Sequence, residues 1–177
     1  MENMDSYGLE NPNAPKLIPA LIYGGITTLI TVVIMLAATW SGWDMNSMSY
    51  KGTVWLITAT ILFVCIKDYR DNRNNNKLRI GQSMGLGALM GLVSGILAAI
   101  FFYFFITYIH PEFMTEATNQ AISDMEERGM TDEQIEQGLQ MMSFFMTPLF
   151  MGLMVIVFSV IFNFIVGLIF GAFLKRD

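Results

Sequence analysis

The sequence predicts an all-α integral membrane protein with four transmembrane helices and an external two-helix hairpin between the third and fourth spans. Four long apolar segments carry this prediction, at residues 17–40, 50–67, 80–109 and 148–174. A bilayer requires about 20 apolar residues for each helical crossing. The chain is 54% hydrophobic and 14% charged, whereas a soluble domain has about 25% charged residues. The spans occupy about half of the chain, so we expect a single membrane domain over residues 1–177.

The first span, residues 17–40, follows a polar and acidic N-terminal segment. Residues 1–16 lack the basic start and apolar core of a signal peptide, so they are expected to stay as a cytoplasmic tail. A stripe of small side chains runs along one sector of the span: Ala20, Gly24, Thr27, Thr31 and Ala38. Small residues are the usual contact surface between helices in lipid, so this stripe should face another helix.

The second span is predicted over residues 50–67, after a short external loop at residues 41–49. Its uncharged part, Gly52–Ile66, would extend only roughly 22 Å as a helix. The span therefore includes Lys51 and Lys67, whose long side chains can reach the interface by snorkelling. Aromatic side chains cluster around the loop, as is typical of a membrane–water interface: Trp40, Trp43, Tyr50 and Trp55.

A basic cytoplasmic loop, residues 68–79, is predicted between the second and third spans. Together with the residue before it, the loop carries five basic side chains: Lys67, Arg70, Arg73, Lys77 and Arg79. These residues are expected to determine the topology, and they could also contact anionic lipid head groups. The sequence Asn74–Asn76 predicts a turn within the loop.

The third span, residues 80–109, has no charged residue and divides its helical circumference by side-chain size. The small half contains the glycines that are expected to carry helix packing: Gly81, Gly85, Gly87, Gly91 and Gly95. The bulky half is expected to face lipid tails: Leu86, Leu89, Met90, Val93, Ile96, Leu97 and Ile100. Small residues allow backbones to approach closely, so this span should be the centre of helix packing.

Residues 110–147 predict a hairpin of two amphipathic helices outside the membrane. In the first helix, Glu112–Arg128, apolar residues recur at four-residue spacing, and Gly129 is suited to follow its C-terminus. The segment Thr131–Gln134 has the capping-box pattern that begins a second helix. The apolar stripe of this second helix consists of Ile135, Leu139, Met142 and Met146. The hairpin carries eight acidic residues and one Arg, so it should be strongly acidic.

The fourth span, residues 148–174, begins at a proline and is followed by a basic cytoplasmic end at residues 175–177. One face carries small and polar residues that are expected to pack against the other helices: Gly152, Ser159, Asn163 and Gly167, with Gly171 at its margin. An unpaired amide in hydrocarbon is costly, so the Asn163 side chain is expected to face the bundle.

The distribution of basic residues predicts the orientation. One side of the predicted spans holds eight Lys and Arg residues and the other side holds two, Lys51 and Arg128. Because short cytoplasmic segments carry the excess of Lys and Arg, both termini should be cytoplasmic and the acidic hairpin should be external. The even number of spans agrees with this orientation.

Several segments together resemble the domain-of-unknown-function family 4199, small bacterial integral membrane proteins usually drawn with four spans. The resemblance rests on Lys67–Asp71 with its Tyr-Arg pair, on the glycine-rich start Ile80–Gly91, on Pro111–Phe113 and on Thr131–Glu136. It covers nearly the whole chain. It implies the four-helix fold and a bacterial inner membrane, and it carries over no catalytic residue.

The sequence offers little reaction chemistry. The uncharged runs contain no ionisable Asp, Glu, Lys, Arg or His, whereas proton-coupled carriers tend to hold such groups within their spans. His110 and Cys65 are the only residues of their types, and they cannot by themselves build a zinc site or a catalytic triad. We therefore expect no enzyme activity, no cofactor and no metal site. The methionines near residue 146 are attributed to packing rather than to copper(I), and the acidic face to solvation rather than to calcium.

These observations favour a non-enzymatic accessory or assembly subunit that acts through helix packing and the acidic hairpin. The expected partners are membrane lipids and either another membrane protein or further copies of the chain, without nucleic acid. The alternative is an oligomeric transporter or channel subunit for a small solute, lined by Thr27, Thr31, Ser159 and Asn163. A third interpretation is an envelope sensor whose hairpin binds a ligand, although no cytoplasmic signalling domain is predicted.

Overall fold

A computed structural model of the protein describes residues 15–175, and this part of the chain is helical without a β-strand. The helices are α1 (Leu17–Ser41), α2 (Met48–Asp68), α3 (Ile80–Phe104), α4 (Phe113–Glu127), α5 (Asp132–Phe145) and α6 (Pro148–Leu174). One π-helical turn extends α2 over Tyr69–Arg73, and another extends α3 over Phe105–Ile109. The predictions for residues 1–14, Arg176 and Asp177 lie outside the described residues.

Four of these helices are long and apolar enough to cross a membrane. They are α1 with 25 residues, α2 with its π-helical turn (26), α3 with its π-helical turn (30) and α6 (27). At about 1.5 Å per residue, each exceeds the roughly 30 Å of a bilayer's hydrocarbon core. The predicted fold class, an all-α membrane protein with four spans, is confirmed. Two shorter helices, α4 and α5, lie between α3 and α6 in the chain.

The second helix continues into the segment predicted as a basic loop. Asp68 binds two side chains of the π-helical turn, accepting from Asn72 Nδ2 at 2.8 Å and from Arg73 Nε at 3.3 Å. These contacts join successive turns and favour continuation of the helix. The chain turns after Asn74, where Asn75 and Asn76 adopt positive φ angles of 51° and 61°, a backbone region that asparagine tolerates better than most residues.

The described chain forms two compact units. We call the first the bundle unit, comprising residues 15–97 and 156–175, and the second the hairpin unit, comprising residues 98–155. The bundle unit contains α1, α2 and the greater part of α3 and α6. The hairpin unit contains α4 and α5 with the adjoining ends of α3 and α6.

The core of the bundle unit is formed where α1 begins, α2 ends and α3 begins. Its buried members are Ala20, Leu62, Cys65, Ile66, Tyr69, Leu78, Leu86 and Met90. Leu86 and Met90 are both 0% exposed, so the prediction that the bulky half of α3 faces lipid is wrong for these two residues. Leu89 also packs against this core, and Val93 lies against Gly24 of α1. The bulky half of α3 therefore contributes to packing as well as the small half.

The hairpin unit has a much smaller core. Ile135 is the buried residue of α5, and no residue of α4 is buried. The turn between the two helices includes Gly129, whose positive φ of 73° favours glycine. The next helix begins as its sequence predicts, because the Thr131 backbone N–H donates to Gln134 Oε1 at 2.9 Å. Local sequence features therefore determine where α4 ends and where α5 begins, whereas few side chains are buried between the two helices.

Candidate functional site

The contact between α3 and α6 is lined by two rows of small residues. In α3, Ser83, Gly87, Gly91 and Gly95 recur every four residues, and in α6, Ser159, Asn163, Gly167 and Gly171 do the same. The rows meet in opposite chain directions, because Gly95 lies against Ile156 and Ser159 whereas Gly171 lies against Ser83. The helices are therefore antiparallel at this contact.

The glycines allow one backbone to lie directly against the other. A Cβ atom on Gly91 would lie 2.6 Å from the Ser159 carbonyl oxygen, and one on Gly95 would lie 2.9 Å from Ile156 Cα. A Cβ atom on Gly87 would overlap the Asn163 carbonyl oxygen, which makes this the tightest position of the row. Real Cβ atoms do not approach backbone atoms this closely, so a larger residue would force the helices apart.

Hydrogen bonds from serine hydroxyls reinforce the α3–α6 contact. Ser83 Oγ donates to the Gly167 carbonyl oxygen at 2.7 Å, and the hydroxyls of Ser94 and Ser159 lie 3.1 Å apart. Such interhelical bonds contribute about 0.6 kcal/mol each on average in membrane proteins. Hydrogen bonds between the helices therefore stabilise the α3–α6 contact in addition to its close packing.

Asn163 lies in the bundle unit and is 1% exposed. Its Nδ2 donates to the Ser159 carbonyl oxygen, one turn earlier in α6, at 2.8 Å. Its Oδ1 is buried and accepts no hydrogen bond from the described residues. The amide is therefore inside the bundle and only half satisfied.

The first helix joins α3 at its own small residues. A Cβ atom on Gly24 would lie 2.9 Å from Val93 Cγ1, and Thr28 Oγ1 lies 3.3 Å from the Ser94 carbonyl oxygen. Thr27 and Thr31 instead donate to carbonyl oxygens of α1, at 2.8 Å and 3.0 Å. Each threonine hydroxyl is therefore already used within the protein.

Three of the glycines singled out from the sequence lie outside this close contact. A Cβ atom on Gly81 would meet no atom of the described residues within 4 Å, and one on Gly85 would meet only Lys16 Nζ, at 3.6 Å. In the hairpin unit, a Cβ atom on Gly152 would lie 3.7 Å from Ala99 Cβ, which is an ordinary van der Waals contact. These positions could accept alanine without displacing a neighbour.

The five basic residues of the loop segment have different surroundings. Arg70 is 8% exposed, and its guanidinium donates to Asp71 Oδ1 at 2.6 Å and to the Leu174 carbonyl oxygen at 3.5 Å. Arg73 pairs with Asp68, whereas Lys67 and Arg79 are exposed and Lys77 is half-buried. Arg70 therefore contacts the C-terminal end of α6, where a cation is favourable to the helix dipole, and is poorly placed to bind lipid head groups.

In the hairpin unit, most of the acidic residues surround the turn between α4 and α5. Six of the eight carboxylates lie within residues 124–136, and their side chains are exposed: Asp124, Glu126, Glu127, Asp132, Glu133 and Glu136. We call residues 124–136 the acidic tip. The lone Arg128 is also exposed. The tip is therefore a solvated surface of one predominant charge.

His110 lies at the other end of the hairpin unit. Its ring stacks on Phe105 with centroids 5.9 Å apart, and its Nε2 lies 3.7 Å from a Glu116 carboxylate oxygen. Within residues 15–175, no three His, Cys, Asp or Glu side chains are grouped closely enough to hold a metal ion. The surroundings of His110 are those of a side chain that packs at a helix junction.

Sequence reasoning missed Ser83, Thr28 and the structural role of Arg70. The sequence pattern could have identified Ser83, because it begins the row of small residues at four-residue spacing that continues through Gly87, Gly91 and Gly95. Gly171 likewise completes the row of α6. The bond from Arg70 to the Leu174 carbonyl oxygen joins residues 104 positions apart, and no local pattern predicts such a contact.

The comparisons with known proteins agree with the sequence resemblance and assign no activity. Neither a curated protein nor a solved structure matches the chain. The family model described as "Protein of unknown function (DUF4199)" matches residues 22–176. This match covers α1 from Ile22 onward and all of the later helices, and the chain therefore belongs to the DUF4199 family.

Proposed function

We propose that this protein is a non-enzymatic accessory or assembly subunit of a bacterial inner membrane, with both termini in the cytoplasm. The observation that best supports this role is the use of the polar side chains in the bundle unit. Ser83 and Ser94 make hydrogen bonds between helices, and Thr27 and Thr31 bond within α1. These serine and threonine hydroxyls therefore bond between helices or within one helix, and they do not form a free polar surface.

The acidic tip is the surface best suited to bind a partner in this proposal. Its carboxylates are exposed and carry an excess of negative charge over the single Arg128. A partner with a basic surface would be attracted to it, and such long-range attraction chiefly raises the rate of association. In the proposed role, the bundle unit holds the protein in the membrane and the acidic tip binds the partner.

In vivo photocrosslinking from the acidic tip tests this role. A photoreactive amino acid would replace Glu126 or Glu133, both exposed, and a matched control would replace Lys67, which is exposed in the bundle unit. We expect the two tip positions to capture the same membrane-associated protein and the control not to capture it. In chains that carry the photoreactive residue, Glu127→Gln combined with Glu136→Gln, both exposed in the tip, should weaken the capture, because the attraction is electrostatic.

A monomer in gentle detergent without any specific crosslink from the tip would contradict the proposed role. Capture that is unchanged by the charge-removing substitutions would contradict the electrostatic part alone. The two results are distinguishable. The first would show that the tip has no partner, whereas the second would show a partner that does not recognise the tip by charge.

The proposed orientation has its own test. Cys65 is 0% exposed, so the unmodified chain should give little background with an impermeant maleimide. Cysteines introduced at Asn75 and at Glu127 are expected to react from opposite sides of the membrane, with Glu127 accessible from outside. Labelling of both from the same side would overturn the orientation and the four-span path together.

An oligomeric transporter or channel is the second-ranked proposal. It would require several copies to create a polar path, because Thr27, Thr31 and Ser159 already bond within the bundle unit and Asn163 is buried. Purified protein in liposomes should show no ion conductance or solute flux if the accessory role is right. Flux that disappears on Ser159→Ala, with folding intact, would favour the transporter.

A further inference from the structure

The helix α5 in the hairpin unit has two apolar faces. Its predicted stripe lies toward α4, because a Cβ atom on Gly138 would lie 3.1 Å from Met125 Cε and Thr118 Oγ1 donates to Met146 Sδ at 3.5 Å. A second group of large apolar side chains is exposed instead: Met141 is 72% exposed, Phe144 66% and Phe145 52%. Water would solvate this second face poorly, so another apolar phase should cover it.

The exposed face is continuous with a membrane-spanning helix. Met141, Phe144 and Phe145 follow the helical spacing of three and four residues, and Leu149, at the start of α6, is 87% exposed. The Phe150 ring of α6 packs against Phe144 and Phe145, with centroids 5.4 Å and 5.0 Å apart. We call Met141, Phe144 and Phe145 the aromatic base of the hairpin. The aromatic base is therefore adjacent to the start of α6, a helix that is long and apolar enough to cross a bilayer.

The charge distribution separates the aromatic base from the acidic tip. No Asp, Glu, Lys, Arg or His occurs between residues 137 and 174. The uncharged segment therefore begins eleven residues before α6, which starts at Pro148. With 27 residues, α6 alone reaches roughly 40 Å, more than the hydrocarbon core requires. The additional uncharged residues in α5 are therefore expected at the level of the lipid head groups.

We propose that the aromatic base is seated in the interfacial layer of the lipid bilayer while the acidic tip stays in water. Phenylalanine is typical of the apolar face of helices that lie in this layer. An amphipathic helix with a separate charged part is the usual form of such an anchor. Lipid is the assigned occupant because the face continues into Leu149 and Leu153, exposed residues of a bilayer-crossing helix. The inference depends neither on the proposed function nor on the orientation of the chain.

Spin-label accessibility in vesicles tests this assignment. Single cysteines at Met141 and Phe144 would be labelled in a Cys65→Ala background, and the protein would be reconstituted in phosphatidylcholine and phosphatidylglycerol. Labels at Leu153 and Glu133 serve as the matched lipid and water references. We expect the labels at the aromatic base to collide with dissolved oxygen several-fold more, relative to a water-soluble nickel complex, than the Glu133 label does.

Two outcomes would overturn the inference. Accessibility to the nickel complex equal to that of Glu133 would place the base in water. Shielding from both oxygen and nickel would show that protein covers it, either a second copy or a partner.

An unmodified chain provides an independent measurement if a labelled variant does not fold. Vesicles containing a phospholipid with a photoreactive diazirine near its head group would be irradiated, and the modified peptides identified by mass spectrometry. We expect adducts within residues 141–145 and none within residues 124–136. Adducts at residues 149–153 without any at residues 141–145 would overturn the inference.

Discussion

The α3–α6 contact and the α4–α5 hairpin join helices in different ways. In the bundle unit, Gly87 and Gly91 bring the α3 backbone against carbonyl oxygens of α6, and Ser83 adds a hydrogen bond of 2.7 Å. In the hairpin unit, long side chains such as Met125 lie between the helices, and Ile135 is the buried residue of α5. Lipid provides no hydrophobic drive to bring helices together, so helices within it must fit closely. The α4–α5 contact relies instead on flexible apolar side chains, which can pack more loosely.

This difference predicts unequal responses to small changes. A rigid backbone-to-backbone contact cannot accommodate an added methyl group without displacing a helix. A contact made by flexible methionine side chains can rearrange.

Gly87→Ala should destabilise the bundle unit by about 1–3 kcal/mol, because its Cβ atom would overlap the Asn163 carbonyl oxygen. The free energy of unfolding, measured by SDS titration in mixed micelles, checks this value. Gly81→Ala is the matched control, because a Cβ atom there meets no described atom within 4 Å. The control should be neutral or slightly stabilising, since alanine is the better helix former. Equal losses in both variants would refute the role of close approach.

Arg70→Met should cost the bundle unit about 1.5 kcal/mol, because it removes charge-assisted hydrogen bonds to Asp71 and to the Leu174 carbonyl oxygen. Lys67→Met removes the same charge from an exposed position of the same segment and should change stability little. The same SDS titration measures both variants. Equal changes in stability for the two variants would show that the hydrogen bonds of Arg70 do not stabilise the bundle unit. The basic residues would then contribute only their positive charge, which influences the topology.

Gly129→Ala should have the smallest global effect, because it strains one turn of the hairpin unit by about 1 kcal/mol. Gly129 has a φ of 73°, which alanine rarely adopts. Amide hydrogen exchange should accelerate in α4 and α5 and stay unchanged in the core of α3 and α6. Accelerated exchange throughout the bundle unit would show that the two units unfold together, and would contradict a difference in stability between them.

The sequence predicted the spans well because the bilayer imposes a simple requirement on length and polarity. The four apolar segments correspond to α1, α2, α3 and α6, and the capping pattern at Thr131 and the glycine at position 129 mark the hairpin turn. The sequence did not indicate that the second helix continues to Arg73, where Asn72 and Arg73 bond to Asp68. Local side-chain pairing decides such boundaries, and composition does not reveal it.

Length and polarity along the chain are enough to predict a four-span helical membrane protein with a charged segment between its last two spans, because hydrocarbon excludes unpaired backbone groups and charges from the surface of any span. The pairs of small residues that meet are visible only in the folded chain. Ser83 and Gly171 lie together, Leu86, Met90 and Arg70 are buried, and a Cβ atom on Gly81 would meet no atom of residues 15–175 within 4 Å. Pairing between helices depends on their relative rotation and register, which residues distant in the chain fix jointly. A periodic pattern along one helix defines a face but does not identify its neighbour.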